Sequence, residues 1–275
     1  MHKNTFLKTC FIILAFLVVN LTIAQSSASK SVSSFLIDAP QLDTIKKIWV
    51  YLPKTYTPNA KKYPVLYLQD AQNLFDRSTS YSGEWKVDET LDSLDLPLIV
   101  IGIEHGNEKR IDELTPYPHP EYKGGKADAY LDFILNTLKP KIDSLYNTSP
   151  TAKNTFIGGS SLGGLFAYYA TLKHPDIFGK ALVFSPSFWY SEDIFNLTES
   201  AELNSLSKNQ FYFRAGEKES ETMVPLMLKM KELLSSKQIS EAQINIEAVP
   251  NGEHNEAFWA SLFPEAALWL MDLEK

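Results

Sequence analysis

The sequence predicts an α/β fold, with a mostly parallel central sheet and helices on both faces. Short apolar runs rich in β-branched residues alternate with longer segments whose apolar residues recur at helical spacing. This alternation is typical of parallel strands joined by crossover helices. One run, residues 98–103, is apolar almost throughout, as expected for a strand that is buried on both faces. A chain of 275 residues has the length of one large α/β domain or two small ones.

The N-terminal 24 residues have the features of a secretory signal peptide. Lys3 and Lys8 precede an apolar run at 11–19, and residues 22–24 resemble a small-residue cleavage site. The run is short for a membrane span, so an uncleaved anchor is the weaker alternative. We therefore expect a periplasmic or secreted protein with no stable membrane insertion after cleavage. Residues 25–34 are Ser-rich and predict a linker, which leaves residues 35–275 as a single domain.

Composition narrows the classes of partner and cofactor. The chain's one cysteine, Cys10, lies in the predicted signal peptide, so the mature domain would rely on its hydrophobic core without disulfides. Without Lys3 and Lys8, 24 basic residues stand against 33 acidic ones, a net charge of −9. This balance disfavours nucleic acids and anionic membranes as partners. No zinc, phosphate-loop or dinucleotide motif is present, so we predict no metal and no cofactor. The sequence leaves the oligomeric state open.

The strands are predicted from apolar, β-branched runs, and a turn-rich segment at 53–64 separates the first two. The predicted strands are 45–52, 65–68, 98–103, 155–157, 181–184, 211–213 and 244–249.

Four helices are predicted between and after these strands. Residues 126–146 have apolar side chains at helical spacing, and Pro140 would kink or divide that helix. The others are 162–172, which follows a Gly-rich turn, 222–234, which is rich in Met, Leu and Lys, and 257–273 at the end of the chain.

The motif Gly-x-Ser-x-Gly has Ser161 at its centre. An apolar strand precedes it and a helical pattern follows, which is the context of a nucleophile elbow. The glycines on either side allow neighbouring backbone to approach without a Cβ clash. In a parallel sheet such a serine lies at the carboxyl end of its strand, where ligands bind. A Gly-rich turn that binds phosphate is the alternative interpretation.

A serine hydroxyl needs an adjacent base to act as a nucleophile, and histidine fits because its pKa lies near neutral pH. His254 is the candidate, because it lies in a Gly-containing loop after the last predicted strand. His105 and His119 precede Ser161, whereas α/β-hydrolases have the chain order serine, acid, histidine.

The acid that orients the histidine is expected in the loop after strand 211–213. That loop contains Glu217, Glu219 and Glu221, and spacing alone does not choose among them. The oxyanion hole needs two backbone N–H groups. Leu162 is expected to supply one, and Gln72 or Ala71, after strand 65–68, the other.

These motifs, together with Ile-Trp-Val-Tyr-Leu-Pro at 48–53 and the run at 63–70, resemble the putative-esterase family of α/β-hydrolases. That family includes ferric-enterobactin esterases, S-formylglutathione hydrolases and feruloyl esterases. The resemblance covers nearly all of the predicted mature chain. It implies an α/β-hydrolase fold and an acyl-ester hydrolase with a Ser–acid–His triad and no cofactor. It favours Glu219 over Glu217, because the family's acid tends to lie three residues after a glycine, here Gly216.

The resemblance leaves the ester open, since the family acts on small-molecule and glycan-linked esters. A siderophore esterase and an acyltransferase are alternatives on the same triad, and a non-catalytic binding protein is the alternative from another class. Arg110 follows strand 98–103 and would brace the site or bind an acidic substrate, unless it forms an ordinary surface ion pair. Trp85 and Trp189 are loop aromatics expected to line the substrate cleft, although ordinary packing would also explain either one.

Overall fold

The computed structural model describes residues 26–58, 61–201 and 206–273, so the predicted signal peptide lies outside the described residues. Within these ranges, eight strands form one sheet in the order β1-β2-β4-β3-β5-β6-β7-β8. The strands are β1 Val32–Ala39, β2 Thr44–Tyr51, β3 Val65–Gln69, β4 Ile99–Ile103, β5 Thr155–Ser160, β6 Lys180–Phe184, β7 Gln210–Gly216 and β8 Ile244–Val249. β2 is antiparallel to β1 and β4, and every other neighbouring pair is parallel. The prediction of a mostly parallel sheet is confirmed.

Eight α-helices lie in the described part of the chain. They are α1 Val87–Leu94, α2 Arg110–Leu114, α3 Ala127–Phe133, α4 Lys139–Leu145, α5 Leu162–Lys173, α6 Asp193–Ser200, α7 Met223–Ser236 and α8 Glu256–Leu270. No helix of the described residues has the length and apolar character needed to cross a bilayer.

The linker prediction for residues 25–34 is wrong at its C-terminal end. β1 begins at Val32 and pairs with β2 along its whole length, from Val32 opposite Tyr51 to Ala39 opposite Thr44. The serines that suggested a linker are themselves hydrogen-bonded, since the backbone N–H of Ser29 donates to Asp88 at 2.6 Å. Backbone pairing with β2 extends this edge strand into the Ser-rich segment, across Ser33 and Ser34.

The helix predicted over 126–146 forms with a change of pitch in the middle. A π-helical segment, Ile134–Leu138, joins α3 to α4, and Pro140 lies in the first turn of α4. Proline removes one backbone donor and its ring clashes with the carbonyl four residues earlier. A π turn widens the helix at that point, so the chain continues through Pro140 instead of ending there.

The sheet is packed on both faces, as alternation along the strands requires. Tyr67, Ile101 and Ile157 lie in the core cluster that contains α3, α5 and α7. Leu68 and Phe156 point to the other face, into the cluster that contains α1 and α8. The carboxyl ends of β3, β5, β6, β7 and β8 therefore meet at one edge between two helical layers.

Candidate active site

Ser161 lies at the sharp turn between β5 and α5, with φ 58° and ψ −121°. Such a backbone conformation costs a non-glycine residue on the order of 1–3 kcal/mol, and it persists where the surroundings enforce it. The neighbouring glycines explain how the turn closes. A Cβ on Gly159 would lie 2.7 Å from the carbonyl carbon of Gly163, and one on Gly164 would lie 2.7 Å from the Phe184 oxygen. The strand–turn–helix context predicted for Ser161 is thus present.

Three side chains from separate loops meet at this turn. The Ser161 Oγ lies 3.0 Å from His254 Nε2, and His254 Nδ1 lies 2.7 Å from Glu219 Oε2. Both distances lie in the range for proton transfer and for orientation of an imidazole. The arrangement can therefore take the proton of Ser161 and stabilise the charged ring that results.

The two candidate acids occupy different environments. Glu219 turns inward, its side chain is 1% exposed, and it contacts His254. Its Oε1 accepts hydrogen bonds from Ser185 Oγ at 2.7 Å and from the backbone N–H of Gly216 at 2.5 Å. Glu217 is exposed. Of the two, the structure brings Glu219 to the histidine.

A cavity of about 520 Å³ opens above Ser161 and His254. The residues that line it include the charged side chains of Asp70, Arg110 and Glu256, of which Glu256 lies on α8. Trp85 and Trp259 supply aromatic surface at the same cavity. Its size suits a small-molecule ester or one residue of a larger substrate.

Arg110, which lines this cavity, forms a bidentate ion pair with Asp70. Its Nε donates to Asp70 Oδ1 at 2.7 Å and its Nη2 to Asp70 Oδ2 at 2.8 Å. Burial alone would lower the pKa of Arg110, but the charge and hydrogen bonds of Asp70 outweigh burial and raise it. Arg110 therefore lines the site with its charge balanced by Asp70, and the ion pair joins it to the loop after β3.

Two further titratable groups face the cavity. Burial, reinforced by the charge of Asp70, raises the pKa of Glu256, and Asn73 Nδ2 donates to Glu256 Oε1 at 3.0 Å. Burial lowers the pKa of His105, which favours its neutral form. The cavity thus offers hydrogen-bonding groups and no uncompensated cation among these residues.

The predicted oxyanion donors each lie shortly after the end of a strand. Leu162 is the first residue of α5, and Gln72 lies in the 3-10 turn Ala71–Asn73 that follows β3. The Gln72 side chain makes two hydrogen bonds of 3.2 Å to the His105 backbone. Its Nε2 donates to the His105 carbonyl, and its Oε1 accepts from the His105 N–H. These bonds tie the turn to the neighbouring loop, so a role for Gln72 as a donor falls to its backbone N–H.

The two predicted substrate-cleft tryptophans occupy different places. Trp85 is 4% exposed, lines the cavity, and packs against Trp259 with ring centroids 6.1 Å apart. Trp189 is 46% exposed and packs against Tyr122, with centroids 6.0 Å apart. Trp189 does not belong to the set of residues that line the cavity. The structure therefore brings Trp85, but not Trp189, to this site.

Sequence reasoning missed four residues at or beside the site. Ser187 Oγ lies 3.3 Å from Ser161 Oγ, and Ser185 contacts Glu219. Asn73 and Glu256 line the cavity. Ser185 and Ser187 directly follow the predicted strand 181–184, and that position at a strand's carboxyl end was the available signal.

A family model described as putative esterase matches residues 39–270, which is most of the chain. The chain belongs to the putative esterase family. It is therefore a hydrolase by family, and the resemblance inferred from its motifs is confirmed.

The chain is also similar to curated proteins. The chain is 28% identical over 241 residues to the uncharacterized protein YbbA of Bacillus subtilis, covering 82% of this chain and 92% of that protein. It is 29% identical over 178 residues to the ferri-bacillibactin esterase BesA of B. subtilis, covering 58% of this chain and 60% of that protein.

The fold is shared with a solved structure. The BES protein from Bacillus cereus superposes with a TM-score of 0.73 and 20% identity, covering 97% of this chain and 99% of that one. The predicted α/β-hydrolase fold is confirmed by this likeness, which concerns the fold alone.

Proposed function

We propose that this protein is an exported serine carboxylic ester hydrolase that acts through Ser161, His254 and Glu219. The observation that carries the proposal is the unbroken hydrogen-bonded path from Ser161 Oγ to His254, 3.0 Å, and from His254 to Glu219, 2.7 Å, at the base of an open cavity. A serine, a base and an orienting acid in this order constitute the apparatus of acyl transfer.

In the first half-reaction, Ser161 Oγ forms a bond to the ester carbonyl carbon while His254 Nε2 takes the hydroxyl proton. The carbonyl π electrons move to oxygen, and the backbone N–H groups of Leu162 and Gln72 stabilise that oxyanion. When the carbonyl re-forms, the bond to the alcohol oxygen breaks. His254 returns the proton to the leaving alcohol, and the acyl group remains on Ser161.

Water completes the cycle. His254 removes a proton from a water molecule, whose oxygen attacks the acyl carbon. Collapse of the second tetrahedral intermediate breaks the bond to Ser161 Oγ, which recovers its proton from His254. The net reaction converts one ester and one water into one acid and one alcohol, so no cofactor is needed.

Export and the choice of substrate belong to the same proposal. The basic and apolar N-terminus supports passage to the periplasm or out of the cell. The cavity favours a neutral small-molecule or glycan-linked ester, because Asp70 already balances Arg110 and Glu256 adds negative charge. An acyltransferase would use the same steps with an alcohol in place of water.

A siderophore esterase is the second candidate, supported by the likeness to BesA. It would require the cavity to accept a bulky anionic catecholate. Arg110 is the residue that would meet that charge, and under this candidate Arg110→Ala should abolish siderophore hydrolysis.

The test is covalent labelling of the purified protein with a fluorophosphonate, followed by peptide mapping and an assay with a neutral ester. We expect one adduct, on Ser161, and loss of both labelling and hydrolysis in Ser161→Ala. Ser261→Ala, which removes an exposed serine hydroxyl on α8, is the matched control and should behave like wild type. Hydrolysis retained by folded Ser161→Ala would refute the proposal.

A further inference from the structure

A buried serine contacts the acid of this site from the side opposite the histidine. Ser185 is 0% exposed and directly follows β6, with its Oγ 2.7 Å from Glu219 Oε1. Its φ is 43°, a left-handed conformation that is uncommon for a non-glycine residue. The surrounding structure therefore holds Ser185 in an unfavourable backbone conformation in which its hydroxyl reaches Glu219.

The hydrogen bond between Ser185 and Glu219 has a defined direction because of Trp259. The indole N–H can only donate, and Trp259 Nε1 lies 2.8 Å from Ser185 Oγ. A serine hydroxyl has a single hydrogen, so with Trp259 donating to its oxygen that hydrogen points to Glu219. The chain of donors thus runs from Trp259 through Ser185 to the carboxylate.

Glu219 is consequently held at both oxygens. Oε1 accepts from Ser185 and from the Gly216 backbone N–H, and Oε2 is left to face His254 Nδ1. A carboxylate bound at both ends has little freedom to rotate away from the imidazole.

Trp259 also contacts the histidine directly. Its ring meets that of His254 edge to face, with centroids 4.9 Å apart and an interplanar angle of 87°. Trp259 is itself fixed, since it is 5% exposed and packs against Trp85. One indole therefore restrains the base through ring contact and the acid through Ser185.

We infer that Ser185 and Trp259 are positioning residues of the esterase site. Trp259 orients the Ser185 hydroxyl, and that hydroxyl fixes Glu219 in the rotamer that aligns His254 with Ser161. This inference rests on the proposed function, because alignment of the triad matters only if Ser161 is the nucleophile.

The test is a double-mutant cycle on hydrolysis of a neutral ester with Ser185→Ala, Trp259→Phe and both together. Ser185→Ala should lower kcat by roughly 10- to 100-fold, the effect of losing one hydrogen bond to a charged group. Its KM should change by less than about twofold, because Ser185 does not line the cavity. Trp259→Phe keeps an aromatic ring but loses the N–H donor, so its kcat should fall less than that of Ser185→Ala. The double variant should be no slower than Ser185→Ala, since the indole N–H acts through that hydroxyl.

A spectroscopic measurement separates alignment from general packing. In general, an imidazole Nδ1 proton that is hydrogen-bonded to a carboxylate resonates far downfield, and we expect such a resonance from His254. We expect this resonance to move upfield in Ser185→Ala and to stay in place in Ser235→Ala, which removes a buried hydroxyl of α7 remote from the site. Trp269→Phe, on the same helix as Trp259, is the control for loss of an indole and should keep the wild-type kcat.

The outcomes distinguish this inference from the proposed function. Activity in Ser161→Ala would overturn the proposed function. An inactive Ser161→Ala beside a Ser185→Ala with wild-type kcat would overturn the positioning role alone, and so would additive losses in the double variant. If Ser185→Ala does not fold, Ser185→Gly removes the same hydroxyl from a residue type that tolerates the left-handed backbone.

Discussion

Within the loop after β7, two glutamates separated by a single residue have opposite orientations. The Glu219 side chain is buried against His254, whereas Glu217 is exposed. The Gly216 N–H bonds Glu219 Oε1 at 2.5 Å, so the loop bends back on itself and directs that side chain inward. The position of this bend, and not the residue type, makes one glutamate a candidate catalytic acid.

We expect Glu219→Gln to lower kcat by roughly 10³- to 10⁴-fold, because a neutral amide neither stabilises the imidazolium nor selects the correct tautomer. Glu217→Gln, the matched control in the same loop, should keep kcat within about twofold. Steady-state hydrolysis of a neutral ester measures both. A larger loss in Glu217→Gln than in Glu219→Gln would reverse the assignment of the acid.

Single residues differ in how far the sequence alone predicts them. Ser161 is marked by a local motif and His254 by chain order, so both were identifiable. No local motif identifies Ser185 or Glu256. Their hydrogen-bond partners, Glu219 and Asn73, lie 34 and 183 positions away in the chain. Residue type and position in a loop predict that Trp189 lines the cleft, but its side chain packs on Tyr122 in another loop.

At the scale of elements, the start of α1 anchors the segment before β1. Asp88 lies in the first turn of α1, is fully buried, and accepts a hydrogen bond from the Ser29 N–H at 2.6 Å. Burial raises the pKa of Asp88 to about 7, even though the Ser29 bond favours the charged form.

This shift makes stability depend on pH in a definite direction. Below about pH 4, Asp88 is protonated in both the folded and the unfolded state. Between about 4 and 7 the folded protein keeps a proton that the unfolded chain has lost, so the free energy of unfolding falls as pH rises, and above 7 the loss is complete.

Asp88→Asn should therefore be stabilising at high pH. We expect its Tm, relative to wild type, to be roughly 5 °C higher at pH 8 than at pH 4. Asp95→Asn, which changes an exposed acid at the other end of α1, is the matched control. Thermal unfolding followed by circular dichroism measures both, and a difference for Asp88→Asn that does not vary with pH would contradict the expectation.

Sequence patterns predict the inner strands but not every element. The parallel strands were predicted because burial on both faces requires continuous apolar runs. β1 was missed because an edge strand half exposed to solvent needs no such run, and it is stabilised by its backbone pairing with β2. The π segment Ile134–Leu138 depends on how a helix accommodates Pro140 while packed on the sheet, which periodicity does not encode.

At the scale of the whole molecule, the net charge of the protein and of its cavity should influence which esters bind. The full chain carries a formal charge of −7, and in the cavity Asp70 and Glu256 outnumber Arg110. A negative protein with a negative cavity repels anionic ligands over about a Debye length, an effect that salt reduces.

We expect kcat/KM for an anionic ester to rise several-fold between about 10 and 200 mM salt, while that for a neutral ester stays constant. Glu256→Gln should reduce the salt dependence, since it removes one facing carboxylate. Initial rates with a matched pair of esters provide the measurement. A rate that falls with salt for the anionic ester would indicate a cationic cavity and would favour the siderophore candidate.

Local sequence predicts the α/β class, the mostly parallel sheet, the Gly-x-Ser-x-Gly turn at Ser161 and the family. Each of these is encoded locally, in periodicity, in glycines and in motifs a few residues long. The folded structure is needed to show that Glu219 rather than Glu217 meets His254, that Asp70 balances Arg110, and that Ser185 and Trp259 lie behind the acid. These contacts join loops from different strands, and their geometry depends on how the sheet twists and the helices pack, which no short stretch of sequence specifies.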